Sequence, residues 1–80
     1  MYYVYILQSK VTGGYYIGSC ANISVRLRKH NMGHVRSTKA YLPWQVVYSE
    51  TLISRKKAYR RELQIKSYKG GNSFKALIAK

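Results

Sequence analysis

Two aromatic and β-branched runs separated by a glycine pair constrain this chain more than any other feature. Tyr2 to Gln8 is apolar at successive positions rather than at alternate ones, so a strand there needs cover on both faces and belongs at the centre of a sheet. Gly13-Gly14 supplies a turn and Tyr15 to Ser19 reads as a second strand, which makes an antiparallel hairpin. Within it, Tyr5 is expected roughly opposite Tyr16, to within a residue or two.

Downstream, the pattern turns helical. Asn22 or Ser24 can cap a helix running to about Met32, with Ile23, Leu27 and His30 on one face and Gly33 as the stop. His34 to Leu42 is polar and basic, with Ser37-Thr38-Lys39 as a loop, and Pro43 bars a helix before a third strand from Trp44 to Glu50. Ser54 can cap a second helix to about Tyr68. Ala58, Glu62 and Ile65 form its core-facing line, Tyr59 and Leu63 lie alongside, and Lys56, Lys57, Arg60 and Lys66 face water. Gly70-Gly71 end that helix, and Asn72 or Ser73 can start a short last one through Phe74, Leu77 and Ile78. The expected order is β-β-α-β-α-α, an α+β sandwich with a three-stranded antiparallel sheet, forming one domain over residues 1–80.

Charge narrows the partners. Fifteen Lys and Arg face two Glu and no Asp, a formal net of +13. Such a surface attracts polyanions, nucleic acid first and anionic membrane second. The membrane alternative lacks a long helix with a clean apolar face, and no apolar stretch approaches a bilayer crossing. No signal peptide opens the chain, so a cytoplasmic protein is expected. Cys20 stands alone, which excludes a disulfide framework and a Cys-rich zinc site, and no activating base for a nucleophilic thiol is evident beside it.

The residues that can carry chemistry are few. A tyrosine ending a strand, Tyr16, followed by Arg26 and, one turn later, His30 can build a phosphodiester-cleaving site. Such a site also needs a carboxylate, and the chain offers only Glu50 and Glu62. Glu62 on the apolar line of a helix is costly to bury unless paired or bound to metal, and the plain alternative is a salt bridge to Arg26. Glu50 ends a strand and is expected exposed. A guanidinium at Arg26 can grip a phosphate bidentately and offset charge in the transition state, or simply pack on tyrosines. His30 can position water or move a proton, or be satisfied by a local hydrogen bond. Most of the nine tyrosines are packing residues, but the hairpin sets Tyr5 and Tyr16 near the Arg26 helix. A phenol with a pKa of about 10 is a poor base at neutral pH, and nearby cations favour its deprotonated form. Gly18 permits a close approach that a Cβ would obstruct.

These residues together resemble the GIY-YIG nuclease superfamily, specifically its small stand-alone bacterial members. Tyr3-Val4-Tyr5 stands in place of the first motif and Tyr16-Ile17-Gly18 in place of the second, with a matching gap. Arg26, His30 and Glu62 follow at fitting distances. Pro43-Trp44, Arg61-Glu62 and Lys66-Ser67-Tyr68 resemble the small members as well. The match runs from Tyr2 to about Leu77. The first motif lacks its glycine, Ser19 sits where some members have a lysine, and Asn72 fits a late asparagine only loosely.

The resemblance implies a metal-dependent endonuclease acting on DNA in repair or recombination, with Tyr5, Tyr16, Arg26, His30 and Glu62 as catalytic residues. It implies Mg²⁺ or Mn²⁺ held by Glu62, waters and the phosphate. Tyr16 is expected as base or water-orienting group with Tyr5 assisting, although the two could exchange roles. Gly18, Arg28, Lys29, Lys39 and Asn72 are candidate DNA contacts, and structured or branched DNA and a protein partner are candidate partners. The alternatives are a basic nucleic-acid-binding module without activity and an accessory subunit active only with its partner.

Overall fold

A computed structural model describes residues 1–79. Its elements are β1 (Tyr2–Ser9), β2 (Tyr15–Cys20), α1 (Ile23–Asn31), a 3-10 turn (Lys39–Tyr41), β3 (Trp44–Leu52), α2 (Arg55–Ser67) and α3 (Asn72–Ile78). The sheet is antiparallel with β1 between β2 and β3. The central place follows from composition: Val4, Tyr5, Ile6 and Leu7 are all fully buried, two on each face of one strand.

Each face has its own core. Val4 and Ile6 pack with Ala58 and Ile65 of α2 and Phe74 of α3. Tyr5 and Leu7 point the other way, with Cys20, Trp44, Tyr16, Ile23 and Leu27, beneath α1. Burying a side chain of the Ile65 class contributes about 1.5–3 kcal/mol, so these two clusters hold the layers together. No helix among the described residues is long and apolar enough to cross a membrane.

The helix starts follow local chemistry. Asn22, not Ser24, caps α1, its side-chain oxygen accepting from the Val25 amide at 3.1 Å. Ser54 caps α2 by accepting from the Lys57 amide at 3.1 Å. After α1, Gly33 adopts φ +77° while its amide donates to the His30 carbonyl and that of His34 to Lys29, satisfying two end carbonyls at once.

Tyr5 pairs with Gly18, and Tyr16 faces Leu7. The offset of two residues lies within the expected register, and Tyr5 and Tyr16 share a face. Other expectations are corrected. β3 continues past Glu50 to Leu52, and part of the expected loop is the 3-10 turn. Tyr59 and Leu63 are exposed, because a helix lying on one sheet buries a narrow stripe that Ala58 and Ile65 already fill. α3 is capped at Gly71 without a side-chain bond, and Asn72 is its first residue. Glu50 is half-buried rather than exposed: both its carboxylate oxygens accept from Arg61, at 2.8 and 2.7 Å, and Tyr48 donates to it as well. Burial alone would penalise Glu50, and the bidentate guanidinium removes that penalty.

Candidate functional site

The site grows from one missing side chain. A Cβ at Gly18 would lie 2.5 Å from the Tyr5 hydroxyl oxygen and 2.7 Å from its Cζ. Glycine at this register position therefore lets the Tyr5 ring lie across the edge strand, and the same Cβ would stand 3.2 Å from the Tyr16 ring. Above them α1 lowers His30, which is fully buried and edge-on to both phenols, with ring centroids 6.1 Å from Tyr5 and 4.8 Å from Tyr16. Tyr5, Tyr16 and His30 are thus brought together on the α1 face of the sheet.

Hydrogen bonding orients this cluster. Tyr5 Oη lies 3.2 Å from His30 Nε2, His30 Nδ1 lies 2.8 Å from Thr38 Oγ1, and the Thr38 hydroxyl donates to the Val35 carbonyl. Since Thr38 spends its proton on Val35, it accepts from Nδ1–H, which leaves Nε2 as acceptor for the Tyr5 hydroxyl. Burial, then the Tyr16 phenol, push the Tyr5 pKa well above the usual phenol range, outweighing the pull of Arg26. Tyr5 is therefore held as a protonated donor. The Tyr16 hydroxyl makes no hydrogen bond among the described residues and its side chain is half-buried. Thr38 is buried and was not singled out by sequence; its carbonyl also accepts from the Trp44 indole at 3.0 Å, tying the loop to β3. Nothing in the sequence separates Thr38 from its neighbour Ser37 in that loop, because its role depends on burial beneath α1.

Burial first, and the Arg26 charge second, lower the His30 pKa from 6.5. Folding then favours the neutral ring, so the unfolded chain binds the extra proton. The stability this contributes is complete above about pH 6.5 and is lost as pH falls below it towards the folded-state value. Wild-type urea midpoints should therefore drop from pH 7 to 5.5, whereas those of His30→Gln should stay flat over that window. Parallel curves would show that His30 is not the titrating group.

Arg26 and Glu62 approach from different layers. Arg26, half-buried on α1, lines a cleft shared with Ser19 and Cys20 at the end of β2 and Ala58 of α2. Glu62 comes from α2 on the opposite face and reaches the edge strand, where the Ser19 hydroxyl donates to Oε1 at 2.7 Å. Lys66, one turn along, donates to Oε2 at 2.6 Å. The alternative ion pair between Glu62 and Arg26 does not form, and the Arg26 guanidinium has no hydrogen bond or ion pair among the described residues. Ser19 is thus the link between carboxylate and cleft. Glu62 therefore meets the Arg26 cleft through Ser19, whose hydroxyl it accepts from and which lines the cleft with Arg26.

The donor set at Glu62 is oxygen only, a carboxylate at 12% side-chain exposure beside a serine hydroxyl. No group of three or more His, Cys, Asp or Glu side chains forms a metal cage among the described residues. One carboxylate suits a hard cation that retains most of its water, as Mg²⁺ does. The Lys66 pair is a half-exposed i,i+4 contact of the kind worth only about 0.3–0.5 kcal/mol, so it does not block that carboxylate.

Of the other candidates, Arg28, Lys29 and Lys39 are exposed near the C-terminal end of α1, with the Lys39 stem close to Gly33. Asn72 is exposed on α3 and does not line the cleft. Cys20 is buried, and desolvation pushes its thiol pKa up, which disfavours the nucleophilic thiolate.

Comparison with known proteins places this geometry. A profile described as the GIY-YIG catalytic domain matches residues 1–75. A UPF0213 protein of Staphylococcus saprophyticus is 37% identical over 68 residues, covering 84% of this chain and 82% of the relative. One of Staphylococcus epidermidis is 35% identical with the same coverage. The solution NMR structure of a UPF0213 protein from Bacillus halodurans superposes with a TM-score of 0.60 at 28% identity, over 99% of this chain and 84% of that one. With the hairpin, the Tyr5–Tyr16–His30 cluster and the profile in agreement over the same residues, the chain belongs to the GIY-YIG family of nuclease domains.

Proposed function

We propose that this chain is a metal-dependent endonuclease hydrolysing DNA phosphodiester bonds, a single domain over residues 1–80 that works in the cytoplasm in repair or recombination. The observation that carries the reading is the open guanidinium of Arg26. In a chain of +13 with two side-chain carboxylates, one is bound by Arg61 and the other bonds Ser19 and Lys66, so among the described residues the Arg26 guanidinium faces its cleft without a counter-charge and is available to an anion. A pure binding module needs only surface charge, and has no use for a half-buried arginine beside an oriented phenol and imidazole.

In this reading Arg26 grips the scissile phosphate with its planar fork and offsets the charge that grows on its oxygens. Tyr16, whose hydroxyl is uncommitted among the described residues, orients the attacking water and, in its phenolate form, takes the proton that water gives up. Tyr5 and His30 hold Tyr16 in place, with the Tyr5 proton directed at His30 rather than at substrate. Glu62, steadied by Ser19, holds Mg²⁺ or Mn²⁺, which supplies a Lewis acid against developing negative charge. Arg28, Lys29 and Lys39 extend the positive surface along the DNA backbone, giving a steep salt dependence.

The test is a cleavage assay on branched, nicked and single-stranded DNA with Mg²⁺ or Mn²⁺. Wild type should cut, and Glu62→Gln, which keeps the Ser19 bond, should cut at background level while binding DNA within severalfold of wild type. Equal cutting by Glu62→Gln rejects Glu62 as the metal residue. Binding without cutting under either metal identifies a non-catalytic module instead.

A further inference from the structure

We propose that the cleft beside Arg26 is a subsite for one unpaired nucleotide of the bound strand, with Tyr59 stacking its base and Arg55 holding its phosphate. The cleft has a volume of about 420 Å³ and is lined by Tyr2, Ser19, Arg26, Arg55, Ala58 and Tyr59. That size lies within the roughly 300–1,000 Å³ of small-ligand sites, enough for a single nucleotide and far too small for a base pair with both backbones. Its composition is selective. Tyr59 is 55% exposed on α2 and belongs to neither hydrophobic core among the described residues, an aromatic ring left in water at a basic cleft. Arg55 sits 5.5 Å over the Tyr2 ring, so that face is occupied and the guanidinium lines the cleft without an ion pair among the described residues. Open aromatic surface beside fixed cations is what an unstacked base with its phosphate recognises, whereas a duplex hides its base faces.

The cleft also has the right neighbour. Arg26 belongs both to it and to the proposed cleavage site, and Ser19 on its wall bonds Glu62. A strand with its phosphate on Arg26 therefore places an adjacent nucleotide in the cleft. The position of that nucleotide relative to the cut rests on the nuclease reading; the subsite itself is a matter of binding and is measured without cleavage.

The experiment is anisotropy with a labelled single strand of about ten nucleotides, in the Glu62→Gln background and without divalent metal, in which an abasic residue is moved through each position in turn. One position should cost the parent protein roughly tenfold in affinity when its base is missing, and the same loss should vanish in Tyr59→Ala. Tyr59→Phe should behave as the parent. Arg55→Ala should lower the slope of log affinity against log salt by about 0.7, one phosphate contact on a single strand. Tyr59 is exposed, so its replacement leaves the fold intact, and a thermal melt checks this. Equal losses from the abasic strand in Tyr59→Ala and its parent, or unchanged binding by Tyr59→Ala, overturn the subsite whether or not wild type cuts DNA.

Discussion

Arg26→Ala is expected to slow DNA cleavage by about 10²–10³-fold, the range seen when one preorganised donor to a developing charge is removed. The protein should remain folded, because Arg26 is half-buried with no carboxylate partner to strand among the described residues, and the helix carrying it starts at the Asn22 cap. DNA binding without metal should fall only severalfold, since fourteen other Lys and Arg remain from the fifteen. Arg26→Lys should recover only part of the rate, because an ammonium restores charge but not the planar two-point fork. A readout independent of cleavage accompanies this. Arg26 is the second cause, after burial, of the low His30 pKa, so Arg26→Ala should raise the His30 titration part of the way back in an NMR pH series. An unmoved His30 would detach Arg26 from the cluster, and full activity in Arg26→Ala would remove it from the mechanism.

The largest effect on stability is expected from Gly18→Ala. The added methyl would meet the Tyr5 hydroxyl oxygen at 2.5 Å and its Cζ at 2.7 Å, and Tyr5 cannot yield because it is 1% exposed, packed with Leu7 and Trp44 and bonded to His30. Overpacking of this kind costs about 1–3 kcal/mol or somewhat more. At roughly 0.05–0.15 kcal/mol per residue, a chain of this length has about 4–12 kcal/mol in all, so the loss is a large share. The melting temperature should fall by roughly 5–20 °C. Tyr5→Phe removes the closest atom of the clash but not Cζ, so the double variant should be less destabilised than the sum of the singles. Simple additivity would show that the ring is not the obstacle.

Local chemistry made much of this legible. The run of apolar residues in β1, the Gly13-Gly14 turn, the Asn22 and Ser54 caps and the i,i+4 spacing of Arg26 and His30 are all determined within a few residues of chain, and all recur in the structure. Glu62 on the Ala58–Ile65 stripe was visible for the same reason, since helix periodicity alone puts it there. Side-chain partners across the sheet were not visible. The hairpin register depended on the turn and on the fit of the Tyr5 ring over Gly18, which no local pattern encodes.

By itself, then, the sequence determined the order of elements, the central strand, the excess of positive charge and the identity of the few groups able to do chemistry. Only the tertiary structure decided that Glu50 would be claimed by Arg61, that Glu62 would turn to Ser19 and leave Arg26 open, and that Tyr59 would face the cleft and not the core. The physical reason is range. Propensity, capping and periodicity act between neighbours along the chain, whereas the choice of partner for a buried charge is settled by which side chains distant strands and helices bring within hydrogen-bonding reach.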